Sequence, residues 1–140
     1  MDRNKILNIV RELSEWFTPE AIKQIEEDII RYKILIEDYQ AISGFIIYEI
    51  TNKKCYIKWM AVKRSEQGTG IGKKLIKKLI DLCKINKINK IETDTLAETE
   101  NYEPYKLTRN FYHSMGFKDI RIIKAGYSQG SDKLILRKNI

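Results

Sequence analysis

The chain is poor in the residues that build metal centres and covalent staples. Among its 140 residues are two cysteines, one histidine and two prolines. Cys55 and Cys83 have no Cys or His partner at ligand spacing, so no metal is expected, and both read as buried free thiols. No apolar run approaches the roughly 20 residues that a membrane helix needs. The start, Met1-Asp2-Arg3-Asn4-Lys5, leads into an amphipathic pattern broken by Arg11 and Glu12, unlike a signal peptide. The expected location is the cytoplasm, with no membrane partner. There is no repeat and no linker, so residues 1–140 read as one domain, large enough for its own core.

What is present is charge, aliphatic residues and a few well-placed glycines. The formal net charge is +7, and hydrophobic residues make up 43% of the chain. A basic surface favours anionic partners. The basic residues are spread along the chain and mixed with acids, so a nucleic-acid partner has only the net charge behind it. A phosphate-rich small cofactor suits a basic rim equally well.

Periodicity lays out a mixed α/β chain. Ile6, Ile9, Val10, Leu13, Trp16 and Phe17 predict a helix over 5–17. Thr18 and Pro19 restart a second helix as N-cap and first residue, with Ile22, Ile25, Ile29 and Ile30 as its stripe. Strands follow over 32–37, 41–50 and 55–62, joined by turns at 38–40 and 51–54, which is an antiparallel meander. Gly44 marks a bulge or a close approach. In the third strand Tyr56, Lys58 and Met60 alternate with Ile57, Trp59 and Ala61. A helix of about four turns opens near Ile71, carried by Leu75, Leu79, Leu82 and Cys83. A strand over 90–96 then completes a βαβ unit, so its two strands should be parallel. An acidic loop from Glu98 to Glu103 leads to a helix near 105–115 ended by Gly116. Strands over 117–123 and 133–137 close the chain. The 124–132 connection, with Gly126, Gly130 and Ser131, should be mobile.

The most informative segment is Gln67-Gly68-Thr69-Gly70-Ile71-Gly72, between a strand and a helix. Glycines there let the backbone approach a ligand closely, and free amides at a helix start favour phosphate. Three residues lie between Gly68 and Gly72 where a P-loop needs four, so the spacing fails. Position 73 is Lys where the dinucleotide fingerprint has its last Gly, and the preceding strands do not alternate with helices.

The segment fits the (Arg/Gln)-x-x-Gly-x-(Gly/Ala) signature of the GNAT acetyltransferase superfamily. Downstream, Thr108-Arg109-Asn110-Phe111-Tyr112-His113-Ser114-Met115-Gly116-Phe117 resembles that family's helix ending in aromatic-Tyr-x-x-x-Gly-Phe. Element order agrees over about residues 30–137. The stretch from Tyr102 to Arg109 also looks like an uncharacterised bacterial and archaeal subgroup. The resemblance implies a GNAT-like fold: two N-terminal helices, an antiparallel meander, a βαβ unit with splayed central strands, then a helix and a hairpin.

It also implies acetyl-CoA as cosubstrate, direct transfer of its acetyl group to an amine in a ternary complex, and specific residue roles. The pyrophosphate would sit on the amides of Gly68, Thr69, Gly70, Ile71 and Gly72, with help from Gln67. Met60, Ala61 and Val62 would pair with the pantetheine arm, and one amide there would bind the thioester oxygen. Lys73 is the best-placed cation for the phosphates, ahead of Lys74, Lys77 and Arg109. Tyr112 would protonate the leaving thiolate; otherwise it is a packed aromatic on the stripe of Thr108, Phe111 and Met115. Tyr105 stands where many members carry Asn. For the base, Glu92, Asp94, Glu98, Glu100 and Glu103 stay open, as does water, and His113 reads as a surface residue. The acceptor, a small-molecule or peptide amine, would enter past Trp16, Phe17 and the 124–132 loop, and the acidic loop hints that it is cationic. A non-catalytic CoA-binding regulatory module is the alternative. Dimers are common among relatives, which leaves a homodimer open.

Overall fold

The structure is a computed structural model and describes residues 3–38 and 41–140. The first two helices are α1, Arg3–Arg11, and α2, Pro19–Arg31. The meander is β1, Lys33–Asp38; β2, Ile42–Thr51; and β3, Lys54–Val62. Then come α3, Ile71–Ile85; β4, Lys90–Leu96; α4, Glu103–Ser114; β5, Lys118–Ile123; and β6, Lys133–Asn139. Of the turn expected at 38–40, Tyr39 and Gln40 lie outside the described residues, as do Met1 and Asp2 at the start.

The first helix is shorter than its periodicity predicts. It stops at Arg11, and residues 12–17 run as tight turns, with Leu13 N–H donating to the Val10 carbonyl at 3.0 Å and Phe17 N–H to the Leu13 carbonyl at 3.0 Å. The turns keep Leu13 and Phe17 buried, so the apolar spacing outlasts the helix. Tertiary bonds fix this joint: the Trp16 indole donates to the Pro104 carbonyl at 3.0 Å. Thr18 caps α2 by accepting from the Ala21 amide at 3.1 Å, and Pro19 begins it. Ile30 is not part of the α2 stripe. It is 71% exposed, and Asp28 takes the inward place.

The six strands form one sheet in the order β1-β2-β3-β4-β6-β5. All pairs are antiparallel except β3–β4, which is parallel around the crossover helix α3. Helices α3 and α4 cover one face, where Ile46, Tyr48, Ile57, Leu75, Leu79 and Leu136 pack. Helices α1 and α2 cover the other over β2 and β3, with Phe45, Ile47 and Ala61. Central β2 is therefore buried on both faces. Cys55 and Cys83 are both buried in the α3 layer, as expected, and burial pushes the Cys55 thiol up.

Two irregularities shape the middle of the sheet. In β2, Glu37 faces Gly44 and Asp38 faces Ile42, leaving Ser43 as an extra residue. A Cβ at Gly44 would stand 2.9 Å from the Ala61 carbonyl oxygen and 3.1 Å from Leu75, so Gly44 is both beside a bulge and a close approach. In β3, Trp59 faces Ile47 and Ile57 faces Tyr48, leaving Lys58 extra. The bulge breaks the expected alternation. Trp59 and Ala61 turn to the α1–α2 layer, while Ile57, Met60 and Val62 turn to the α3 layer.

The parallel pair is short. Only Cys55–Ile91, Tyr56–Glu92 and Ile57–Thr93 are in register, yet β3 runs on to Val62 and β4 to Leu96. Beyond Ile57 and Thr93 the two strands part.

Candidate active site

The parting of β3 and β4 opens a cavity of about 1260 Å³ that reaches both faces of the sheet. Met60, Ala61 and Val62 line it from the β3 side. Gln67, Gly68, Gly70, Ile71, Gly72 and Lys73 border it at the start of α3, and Tyr112 borders it from α4. Thr69 does not; its hydroxyl donates to the Glu66 carbonyl at 2.5 Å.

The glycine turn is held from within. The Gln67 side-chain amide donates to the Val62 carbonyl at 3.2 Å, tying the turn to the end of β3. Gly70 is the N-cap of α3 with φ 90°, and Gly68 has φ 79°. A Cβ at either would meet nothing within 4 Å, so these glycines serve backbone conformation and leave open space above them. Gly72 is different. A Cβ there would press on the Phe111 ring at 3.1 Å, so it lets α3 and α4 approach. The amides of Ile71, Gly72 and Lys73 begin a helix and have no earlier helical carbonyl to bond. This cradle fits a phosphate-bearing ligand, with exposed Lys73 beside it. Arg109 is excluded from that role: it is buried and donates to the Leu96 carbonyl at 2.8 Å.

Tyr112 is 5% exposed, wedged edge-on against Phe111 and Phe117. Its hydroxyl lies 3.8 Å from the Met60 sulfur, at the gap. Burial pushes its phenol up to about 12; contact with Thr93 opposes this and the nearby Asp94 charge adds to it. The next turn is closed by Gly116 at φ 89°, with the Phe117 amide donating back to the Tyr112 carbonyl at 3.0 Å.

Across the gap, Asp94 points from the opposite face of β4. It accepts hydrogen bonds from the Tyr56 hydroxyl and from the Tyr127 hydroxyl, the latter at 2.5 Å. Burial, then the Asp94 charge, drives both phenols well above the ordinary tyrosine range. Sequence reasoning missed both tyrosines. Tyr56 sits opposite Glu92 in register, so strand alternation could have found it; Tyr127 comes from an irregular loop and leaves no periodic signal. That loop is tied at its base, where Asp132 accepts from the Ala125 amide at 3.0 Å.

The other candidate carboxylates have different positions. Glu92 is buried between Lys54, at 3.1 Å, and Arg137, at 2.7 Å. Burial pushes its carboxyl up, but those hydrogen bonds outweigh it and hold the group below the usual range. Glu98, Glu100 and Glu103 do not line the cavity, and Glu100 accepts from the Asp132 amide at 2.6 Å. The acidic loop therefore says nothing about the acceptor. Tyr105 donates to the Trp16 carbonyl at 2.7 Å, and burial pushes its phenol up to about 12. His113 is exposed and meets Asp119 at 2.7 Å. Trp16, Phe17, Tyr127 and Trp59 line the side expected for the acceptor. The Trp59 indole donates to buried Asp28 at 2.7 Å.

Among the described residues, no group of three or more His, Cys, Asp or Glu converges as metal ligands would, and no helix is long and apolar enough to cross a membrane.

A mixed sheet splayed at its one parallel pair, with a glycine turn leading into the crossover helix, defines an acyltransferase-type architecture. The chain belongs to the GNAT acetyltransferase family: the family profile described as "Acetyltransferase (GNAT) domain" matches residues 30–119. Solved structures agree in fold. A protein assigned to the GNAT family from Desulfovibrio desulfuricans superposes with a TM-score of 0.85 at 23% identity, covering 99% of this chain and 92% of that one. The ribosomal-protein-S18-alanine N-acetyltransferase of Escherichia coli gives 0.74 at 18% identity, covering 100% and 90%. An aminoglycoside 6'-N-acetyltransferase complexed with coenzyme A gives 0.73 at 16% identity, covering 99% and 94%. Comparison with curated protein sequences returns no match.

Proposed function

We propose that this chain transfers an acetyl group from acetyl-CoA to a primary amine, by direct attack in a ternary complex, and that residues 1–140 act as one catalytic domain. The observation that carries this reading is the register of β3 and β4: three paired positions, then a gap that brings Tyr112 and Asp94 into one cavity. A fold neighbour that is complexed with coenzyme A supports the choice of donor.

Bound acetyl-CoA supplies the activated acetyl thioester. The amides of Gly68, Gly70, Ile71, Gly72 and Lys73 hold its phosphates, with Gln67 bracing the turn. Met60, Ala61 and Val62 offer backbone groups that β4 no longer uses. One of their amides stabilises negative charge on the thioester oxygen. Asp94, through its unused lone pairs, takes the proton that the amine must lose. A C–N bond forms, the C–S bond breaks, and Tyr112 protonates the departing thiolate with its phenol proton, so that CoA leaves as the thiol.

The test is a titration with acetyl-CoA followed by CoA release over a panel of primary amines. Thermal stabilisation together with amine-dependent release is expected. Absence of binding at micromolar acetyl-CoA would sink the reading. Binding without release from any amine would leave a CoA-binding module instead.

A further inference from the structure

A second, smaller cavity of about 400 Å³ adjoins the first, and Thr51 and Lys54 line both. Its walls are the β2–β3 turn and the start of β4. They carry four cations, Lys53, Lys54, Lys90 and Arg137, against one carboxylate, Glu92. Glu92 is consumed by Lys54 and Arg137. Those two cations stay partly exposed, at 39% and 29%, with donors left over. Among the described residues neither Lys53 nor Lys90 makes an ion pair. Asn52 and Lys53 hold the tight turn with φ 50° and 61°, which fixes where this rim stands.

The register sets a distance. Lys90, Glu92 and Asp94 alternate onto one face of β4, and Arg137 of β6 lies opposite Glu92. At about 3.3 Å per residue, the Glu92–Arg137 level is roughly 7 Å from Asp94 and the Lys90 level roughly 13 Å. The tyrosine-held carboxylate of Asp94 is at the amine end of this trough and the excess positive charge is at the other.

We infer that the acceptor is a primary amine carrying an anionic group, a carboxylate or a phosphate, about 7–13 Å from the reacting nitrogen, and that Lys53, Lys54, Lys90 and Arg137 form the subsite for that group. This rests on the reading of the main cavity as the transfer site. It also reverses the expectation of a cationic acceptor, because a second ammonium in the same place meets four positive side chains.

Matched amines act as rulers. CoA release is measured with 6-aminohexanoate and 8-aminooctanoate, with hexylamine and octylamine, and with the diamines of the same lengths. β-Alanine against propylamine is the pair too short to reach. At the two longer lengths the carboxylate compound should exceed the neutral amine about three- to tenfold in kcat/KM, the worth of one or two partly exposed charge contacts. The diamines should fall below the neutral amines, and β-alanine should gain nothing. The carboxylate preference should shrink in high salt. It should collapse in a Lys53→Gln, Lys90→Gln double variant, whose exposed positions keep the thermal midpoint near wild type. Equal rates for carboxylate and neutral amines, a preference for diamines, or a preference that survives in the double variant would each overturn the inference. No release from any amine, octylamine included, would instead remove the transfer reading beneath it.

Discussion

Tyr112 keeps its proton because three aromatic and aliphatic walls keep water away from it. With its phenol pushed up to about 12, the donor form is complete throughout the range in which enzymes work. Raising pH should therefore cause no loss of kcat from Tyr112 below about pH 11. Tyr112→Phe should lower kcat about a hundredfold at every pH, changing the height of the profile and not its shape. Stopped-flow or discontinuous assays of CoA thiol over pH 6–10 check both statements, and an unchanged kcat would leave Tyr112 as packing alone. Gly70 is a second single-residue test. Its φ of 90° makes Gly70→Ala cost about 1 kcal/mol in a urea melt. The new methyl also enters the open cradle, so the KM for acetyl-CoA should rise. Gly44→Ala should cost more, because its Cβ meets a backbone oxygen that has nowhere to go.

At the level of elements, much was legible. Thr18-Pro19 fixed the start of α2, the apolar spacing after Gly70 fixed α3, and the βαβ order dictated one parallel pair. The glycine turn and Tyr112-x-x-x-Gly116-Phe117 located one wall of the site. Three things were not legible, each for a physical reason. The end of α1 depends on bonds to residues nearly ninety positions away, such as Trp16 to Pro104. The bulge at Lys58 is a two-strand property that neither strand's own alternation records. Asp94 stood among five candidate carboxylates until register brought Tyr56 and Tyr127 onto it. The bulge makes its own prediction. Deleting Lys58 would set Ile57 next to Trp59, opposite the adjacent Tyr48 and Ile47, giving a regular ladder with Trp59 and Ala61 still in the α1–α2 layer, so that protein should keep a cooperative melt. Lys58→Ala keeps the residue count and loses mainly the ion pair with Glu49, so it should melt within about 1 kcal/mol of wild type.

Across the whole molecule, Glu92 links three strands, since Lys54 is on β3 and Arg137 on β6. Removing its charge leaves two cations without their partner, and Glu92→Gln should cost about 3 kcal/mol at neutral pH. Its folded titration lies below the unfolded value near 4.5, so the stability it lends is whole above that pH and drains away as pH falls through the folded value. An acid series of thermal melts should show this loss in wild type and a flatter response in the variant. The short parallel pairing has a consequence for how the molecule comes apart. Among the described residues, the backbone ladder joins a half-sheet of β1, β2 and β3 to one of β4, β6 and β5 by three rungs at one end. Such a protein behaves as two cooperative units sharing a seam. Amide hydrogen exchange should find them opening with different free energies, and a ligand lying along the seam should merge them into one.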